Sequence, residues 1–595
     1  MQKRLFGILA SVAVIVAACG GATSSSAPPA STAPESSGAP AASTAPSSTP
    51  IASAANLAAQ QILHIDHGQE PPTLDPNKAQ DAVSIEVLHA LHRGLVYFDK
   101  DLKLVPELAK ALPEVSADAK TLTFTLKDGL KYSNGDPILA KDFVYSIKRT
   151  LDPRLAAPYS YVLAEIQGAN DLLALAGAKT LPSDSQIQAM LDKVGVSAPD
   201  DKTVVVQLST PATYFLDVLA LWIAVPVEQS WITKPSATEA ANYVSSGPFV
   251  LSSWQHNSQI VLKPNPNWSG DVKPTLTEID MSMTTEPAQA QAAYEAGELD
   301  MVQTPSEDVT RVKADPTLGP QVVDIPQLSL TYYVYNNGID PKTLKPFTKC
   351  SDPKACPTMN KDFRIALTEA IDKDAFIKAT FAGTGQPAAS IVMPGIPGYQ
   401  ADLNPYPFNL ADAKTHMQTA LQALGVPDAA SLGKLKFGFN TGAGHEPRVA
   451  FLAEAWKQAF GLQTEQIGSD FAVFLQQRTA GQYDIARDGW GADYPHANNQ
   501  LGLFLCGGGN NDSQYCNPDF DALMKQAASE PDQDKQVALY NQAQTLLMND
   551  APVLPLRFGV TTYEVQPYVK GIISTPTDSQ LPGDVFFETI QIEQH

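Results

Sequence analysis

Positive charge is scarce in this chain: 41 Lys and Arg stand against 63 Asp and Glu, a formal net charge of -22. That balance opposes binding to nucleic acid or to an anionic bilayer face by general electrostatics, so any anionic ligand must meet cations placed locally. Long apolar runs are also scarce, and no run after the N-terminal one could span a membrane. The chain has no G-x-S-x-G nucleophile elbow and no G-x-x-x-x-G-K-[ST] phosphate loop. His445-Glu446 opens like a zinc-protease motif, but Val449 stands where the second His must be. With no nucleophile set beside a base and no carboxylate pair, a tethered hydrolase has nothing to act with.

The one apolar run begins the chain. Lys3 and Arg4 precede it, and Val16-Ala17-Ala18-Cys19 closes it, the pattern of a bacterial lipoprotein signal. The run is shorter than the roughly 20 residues of a spanning helix and is broken by Gly20 and Gly21. Residues 1–18 are therefore expected to be a signal peptide and Cys19 a lipidated N-terminus; the alternative is an ordinary secretory signal cut after Ala18. A Ser/Ala/Pro/Thr tract with a single charge, Glu35, continues to residue 56. It has too little apolar surface for a core, so residues 19–57 are expected to be a disordered tether on an exported, membrane-anchored protein.

Only five cysteines occur, and apart from Cys19 they form two close pairs, Cys350 with Cys356 and Cys506 with Cys516. In an oxidising compartment each pair is expected to close a local disulfide. Zinc is the competing reading, but neither pair has C-x₂-C spacing and no His lies between the partners. His64-x-x-His67 and His89-x-x-His92 lack an obvious third ligand, so no metal site is assigned and no cofactor is expected. Trp254, Trp268 and Trp490 are large enough to stack on sugars, although aromatics of this size more often fill cores.

Alternating α and β signals run through the body without a short repeat. Thr203–Leu208 and Ile260–Leu262 read as strands; Val449, Leu452, Trp456 and Phe460 are spaced for one helix stopped by Gly461. Strand-like Leu435–Phe439, that helix and strand-like Tyr483–Ala486 suggest a β-α-β unit, which presents ligands at the carboxyl ends of its strands. Ligand contacts are then expected just past Phe439 and Ala486, in the Gly-rich segments 440–445 and 487–495.

Several motifs together are more specific. Residues 122–137 read LTFTLKDGLKYSNGDP and 140–148 read AKDFVYSIK; further on come Ser246-Gly-Pro-Phe249 with Trp254, Lys263-Pro-Asn-Pro-Asn-Trp268, Ala296-Gly-Glu-Leu-Asp300, Asp362-Phe-Arg-Ile-Ala-Leu367 and Gly489-Trp-Gly-Ala-Asp-Tyr494. From Leu63 to the C-terminus the chain resembles the family 5 solute-binding proteins of ABC importers, with Tyr132 in place of the usual Trp. The resemblance implies an α/β, two-lobed periplasmic-binding-protein type II fold of the Venus-flytrap kind, with an inserted domain. Lobe one would take 58–97, 204–328 and 561–595, the inserted domain 98–203, and lobe two 329–560.

Within that family the chain is most similar to the oligopeptide branch. By resemblance, Asp493 would hold a peptide's α-amino group, and Arg478, Arg487 and His445 would meet the C-terminal carboxylate of peptides of different lengths. Gly489, Trp490, Gln303, Thr304 and Tyr159 would line the groove, though Thr304-Pro305 departs from the polar pair expected there. One acid at a fixed end, cations at several distances and strand-like backbone pairing suit a zwitterionic peptide. The expected partners are an oligopeptide, an ABC permease and the membrane through the lipid alone, with no nucleic acid and a monomeric state. The rival within binding is an oligosaccharide receptor using Trp490, Trp254 and the tyrosines as stacking faces.

Overall fold

A computed structural model describes residues 56–595, apart from 176, 177, 179, 285, 341, 342, 442, 443, 509 and 579. The signal segment, Cys19 and the tether lie outside the described residues. Ten strands form one hydrogen-bonded path: β1 (Ile62–Asp66), β2 (Phe249–Gln255), β3 (Gln259–Pro264), β4 (Glu278–Ser282), β5 (Met301–Gln303), β6 (Val322–Tyr335), β7 (Lys434–Asn440), β8 (Gln463–Ser469), β9 (Ile485–Gly491) and β10 (Val553–Val565). Their order is β8-β7-β9-β6-β10-β5-β1-β4-β3-β2, with Gln386–Pro387 added against β10. A separate four-stranded sheet contains Thr121–Thr125 and Thr203–Gln207, and Tyr132 is wholly buried in the core it shares with Phe124 and Phe143.

This is the mixed α/β, two-lobed type II fold. β6 and β10 form a long antiparallel pair: Val322 to Pro326 face Glu564 to Val560, and Leu330 to Val334 face Phe558 to Val553. Between the two stretches the register shifts at residues 327–329. Gly559 lies at this shift, where a Cβ would stand 2.0 Å from Ser329 Oγ.

Alternation along β6 separates two cores. Tyr333 and Tyr335 join Phe437, Trp456 and Leu556 on one face, whereas Leu330, Tyr332 and Val334 join Phe504 and Phe558 on the other. Burying such side chains contributes roughly 1.5–3 kcal/mol each before entropy is counted. The helix α1 (Glu446–Phe460) forms as its apolar spacing requires, burying Val449, Leu452, Ala453 and Trp456. Among the described residues no helix is long and apolar enough to cross a membrane.

The β-α-β expectation needs two corrections. The strand that follows α1 is β8, parallel to β7, and α2 (Phe471–Thr479) then leads to β9 on the other side of β7. β8 reads QTEQIGS and is mostly solvent-facing because it is the edge of the sheet, so it carries no apolar alternation. Second, β9 does not end at Ala486: it continues through Arg487–Gly491, paired residue by residue with Tyr333–Ser329 of β6. The carboxyl end that faces outward is therefore Gly491. Both expected disulfides are present, Cys350–Cys356 and Cys506–Cys516, with Cα atoms 5.3 Å and 4.5 Å apart.

Candidate functional site

Where β9 ends, the chain enters a cavity of about 470 Å³ whose wall includes Tyr159, Trp222, Gln327, Ser329, Asp493 and Asp578. Asp493 is half-buried and fully oriented. Tyr159 and Tyr161 donate their hydroxyls to its Oδ1 at 3.0 and 3.1 Å, and Asn499 Nδ2 donates to Oδ2 at 2.9 Å. Asn499 in turn accepts from the Asp493 backbone N–H at 3.2 Å and from Trp490 Nε1 at 2.7 Å. Burial, followed by the Asp493 charge, raises both tyrosine pKa values, so the phenols remain donors. Such a carboxylate is a ready acceptor for an ammonium group. Gln327 Nε2 is buried without a hydrogen-bond partner among the described residues, leaving a donor for a carbonyl.

The expected cations Arg478, Arg487 and His445 do not line this cavity, and they differ from one another. Arg478 is almost buried between Asp488 at 2.7 Å and Asp512 at 2.6 Å. Burial works against its charge, but the two carboxylates outweigh burial and raise its pKa. Its charge is thus committed within the protein. Asp488 is pushed up to about 6 by burial, against the pull of Arg478. Arg487 lies over the Phe474 ring at 5.1 Å, and burial together with Arg478 lowers its pKa.

His445 is not the cation the sequence suggested. Burial, then Arg487 and Arg448, lower it to about 4, and Arg448 Nη1 donates to its Nδ1 at 3.2 Å, a bond that needs a neutral ring. At neutral pH it can serve a carboxylate only as a neutral donor.

Of the remaining expected groove residues, Tyr159 meets Asp493, but Gln303 and Thr304 are not brought to this cavity. Gln303 is exposed on β5, facing Tyr563, and Thr304 is 3% exposed, donating to Glu564 Oε2 at 3.1 Å. A buried carboxylate takes the Thr304 hydroxyl, a need not visible in the local sequence. Gly489 sits in β9 opposite Thr331. Trp490 packs against the Phe504 core and spends its N–H on Asn499. Trp254 is on β2, at the far end of the sheet path, its ring 4.4 Å from that of His256. The two tryptophans do not form one stacking platform.

Sequence reasoning missed Tyr161, Trp222, Gln327 and Asn499. Tyr161 had a signal, standing two residues from Tyr159. Trp222 is bonded to Ala79 O at 3.0 Å with its ring 5.0 Å from that of Tyr159, a pairing that no local pattern announces.

Residues 103–512 match the model of the bacterial extracellular solute-binding proteins, family 5. The oligopeptide-binding protein OppA of Bacillus subtilis is 31% identical over 537 residues, covering 88% of this chain and 91% of its own. The periplasmic murein peptide-binding protein MppA of Escherichia coli is 28% identical, covering 89% and 93%. Among solved structures, the unliganded open form of MppA superposes with a TM-score of 0.75 at 26% identity, covering 91% of this chain and 99% of that one. Haemophilus influenzae OppA in complex with RPPGFSPFR gives 0.65 at 27% identity, covering 90% and 100%. Members of this group bind substrates for transporters and are not enzymes, and the present chain belongs to the bacterial extracellular solute-binding proteins of family 5.

Proposed function

We propose that this protein is an oligopeptide receptor, lipid-anchored at Cys19, that captures extended peptides between its lobes and delivers them to the permease of an ABC importer. The observation that carries the reading is Asp493: a carboxylate at a cavity wall, with both oxygens oriented by Tyr159, Tyr161 and Asn499. A peptide's ammonium group suits it, and an extended backbone can run along the sheet with hydrogen bonds indifferent to side chains. Arg487, with neutral His445 beside it, offers the opposite charge for the carboxyl end. Closure would be a population shift, since a ligand held at both ends favours the state in which both lobes touch it. Sugar stacking is less well supported, because Trp490 and Trp254 do not share a surface. The test is mass spectrometry of ligands co-purified with the protein. Peptides support the reading; oligosaccharides without peptides overturn it.

A further inference from the structure

Arg557 and Tyr333 have no part in the site described above, and Arg448 enters it only through its bond to His445. Arg448 lies in the first turn of α1, just beyond the carboxyl end of β7. Arg557 faces Thr331 and Arg487 faces Tyr333, two positions along β6, so Arg557, Tyr333 and Arg487 share one face of the sheet. Both extra guanidiniums rest on one ring, Arg448 Cζ at 4.1 Å and Arg557 Cζ at 4.2 Å from the Phe381 centroid. Arg557 can come so close because Gly385 (φ +112°) has no side chain: a Cβ there would stand 2.3 Å from Arg557 Nε.

Neither arginine forms an ion pair with a carboxylate among the described residues, in a chain where acids outnumber bases. Arg557 Nε donates to Thr384 O at 2.7 Å, and Arg448 Nη1 donates to neutral His445. Burial lowers the pKa of both, and Arg448 adds repulsion at Arg557, which falls to about 10. Tyr333 is 1% exposed, its hydroxyl has no hydrogen-bond partner among the described residues, and Arg448 and Arg487 both act on it. A buried hydroxyl left unbonded is destabilising, and neighbouring guanidiniums repel each other. One bound anion relieves both. The start of α1 adds the positive end of a helix, and its N-cap makes no side-chain cap bond.

In the peptide reading given above, a single α-carboxylate goes to Arg487. We propose that Arg448 and Arg557, with the Tyr333 hydroxyl, form a second anion subsite beside Arg487, so that the receptor selects peptides whose C-terminal residue carries an acidic side chain. This rests on the peptide reading given above. A C-terminal Asp or Glu holds two carboxylates close together, as the arginines are held, and planar guanidinium suits each of them.

The test is calorimetric titration of the full-length protein in detergent with alanine peptides of three to five residues ending in Glu or Gln. Glu-ended peptides should bind about tenfold tighter, and Arg448→Gln or Arg557→Gln should remove most of that preference while leaving Gln-ended peptides bound as before. Retained binding of the Gln-ended set shows that the variants fold. Tyr333→Phe should reduce the preference in part. Equal affinity of the wild type for both sets, or a preference unchanged in both arginine variants, overturns the second subsite alone. Failure of every peptide to bind overturns the peptide reading and this proposal with it.

Discussion

Tyr159 donates its hydroxyl to Asp493 Oδ1 over 3.0 Å, joining positions 334 residues apart in the chain. The acid is thereby aimed before any ligand arrives, which lowers the ordering cost of binding.

Asp493→Ala should weaken free peptides by on the order of 2 to 5 kcal/mol, about thirtyfold to several thousandfold. Peptides acetylated at the amino end should already bind the wild type poorly, and the two losses should not add. Titration calorimetry with matched free and blocked peptides checks this. Unchanged affinity for both would remove Asp493 from the site.

Arg478→Met should act on stability more than on affinity. It leaves Asp488 and Asp512 buried and close together without their shared cation, a loss of about 3–5 kcal/mol. Urea unfolding should show a lower midpoint with an unchanged slope. An unaltered midpoint, with affinity lost for peptides of one length, would return Arg478 to the ligand.

His92 gives the pH dependence a sign. Burial lowers its pKa to about 3, with its ring nitrogens 3.1 Å from Ser246 Oγ and 2.9 Å from Tyr243 OH. The unfolded chain takes this proton near pH 6.5, so between about 6.5 and 3 unfolding binds a proton and stability falls as pH falls. His92→Gln should remove on the order of 2 kcal/mol of the loss between pH 7 and 4.5. Asp488 (about 6) and Asp578 (about 7) have the opposite sign, so the difference between variant and wild type is the quantity to measure. Parallel stability curves would contradict this account.

Cys19→Ser should move the protein from the membrane fraction to the soluble fraction with unaltered peptide affinity. Retention of the variant in membranes would refute lipid anchoring at this residue.

What the sequence made legible was chiefly local. Cys350 with Cys356 and Cys506 with Cys516 were readable because short loops favour closure, and the α1 helix because its apolar positions recur at helical spacing. Asp493 stood out through a specific motif. β8 was hidden because an edge strand has no inner alternation to display. The setting of Arg478 was hidden too, since Asp512 comes from a distant loop. Tyr333 reads as core within LTYYVY, and nothing nearby reveals that two arginines act on its unbonded hydroxyl. Thr304 failed for the same reason, its partner Glu564 lying 260 positions away.

The bridge between Cys506 and Cys516 has a consequence for timing. Asp512 lies inside the loop it closes, holds Arg478 through Oδ2 and accepts from Thr479 at 2.8 Å through Oδ1. In a reducing cytosol the loop stays open-ended, and this hold on Arg478 is weaker. Oxidation of the pair then completes the packing around Arg478, which ties this part of the interior to a compartment where disulfides form.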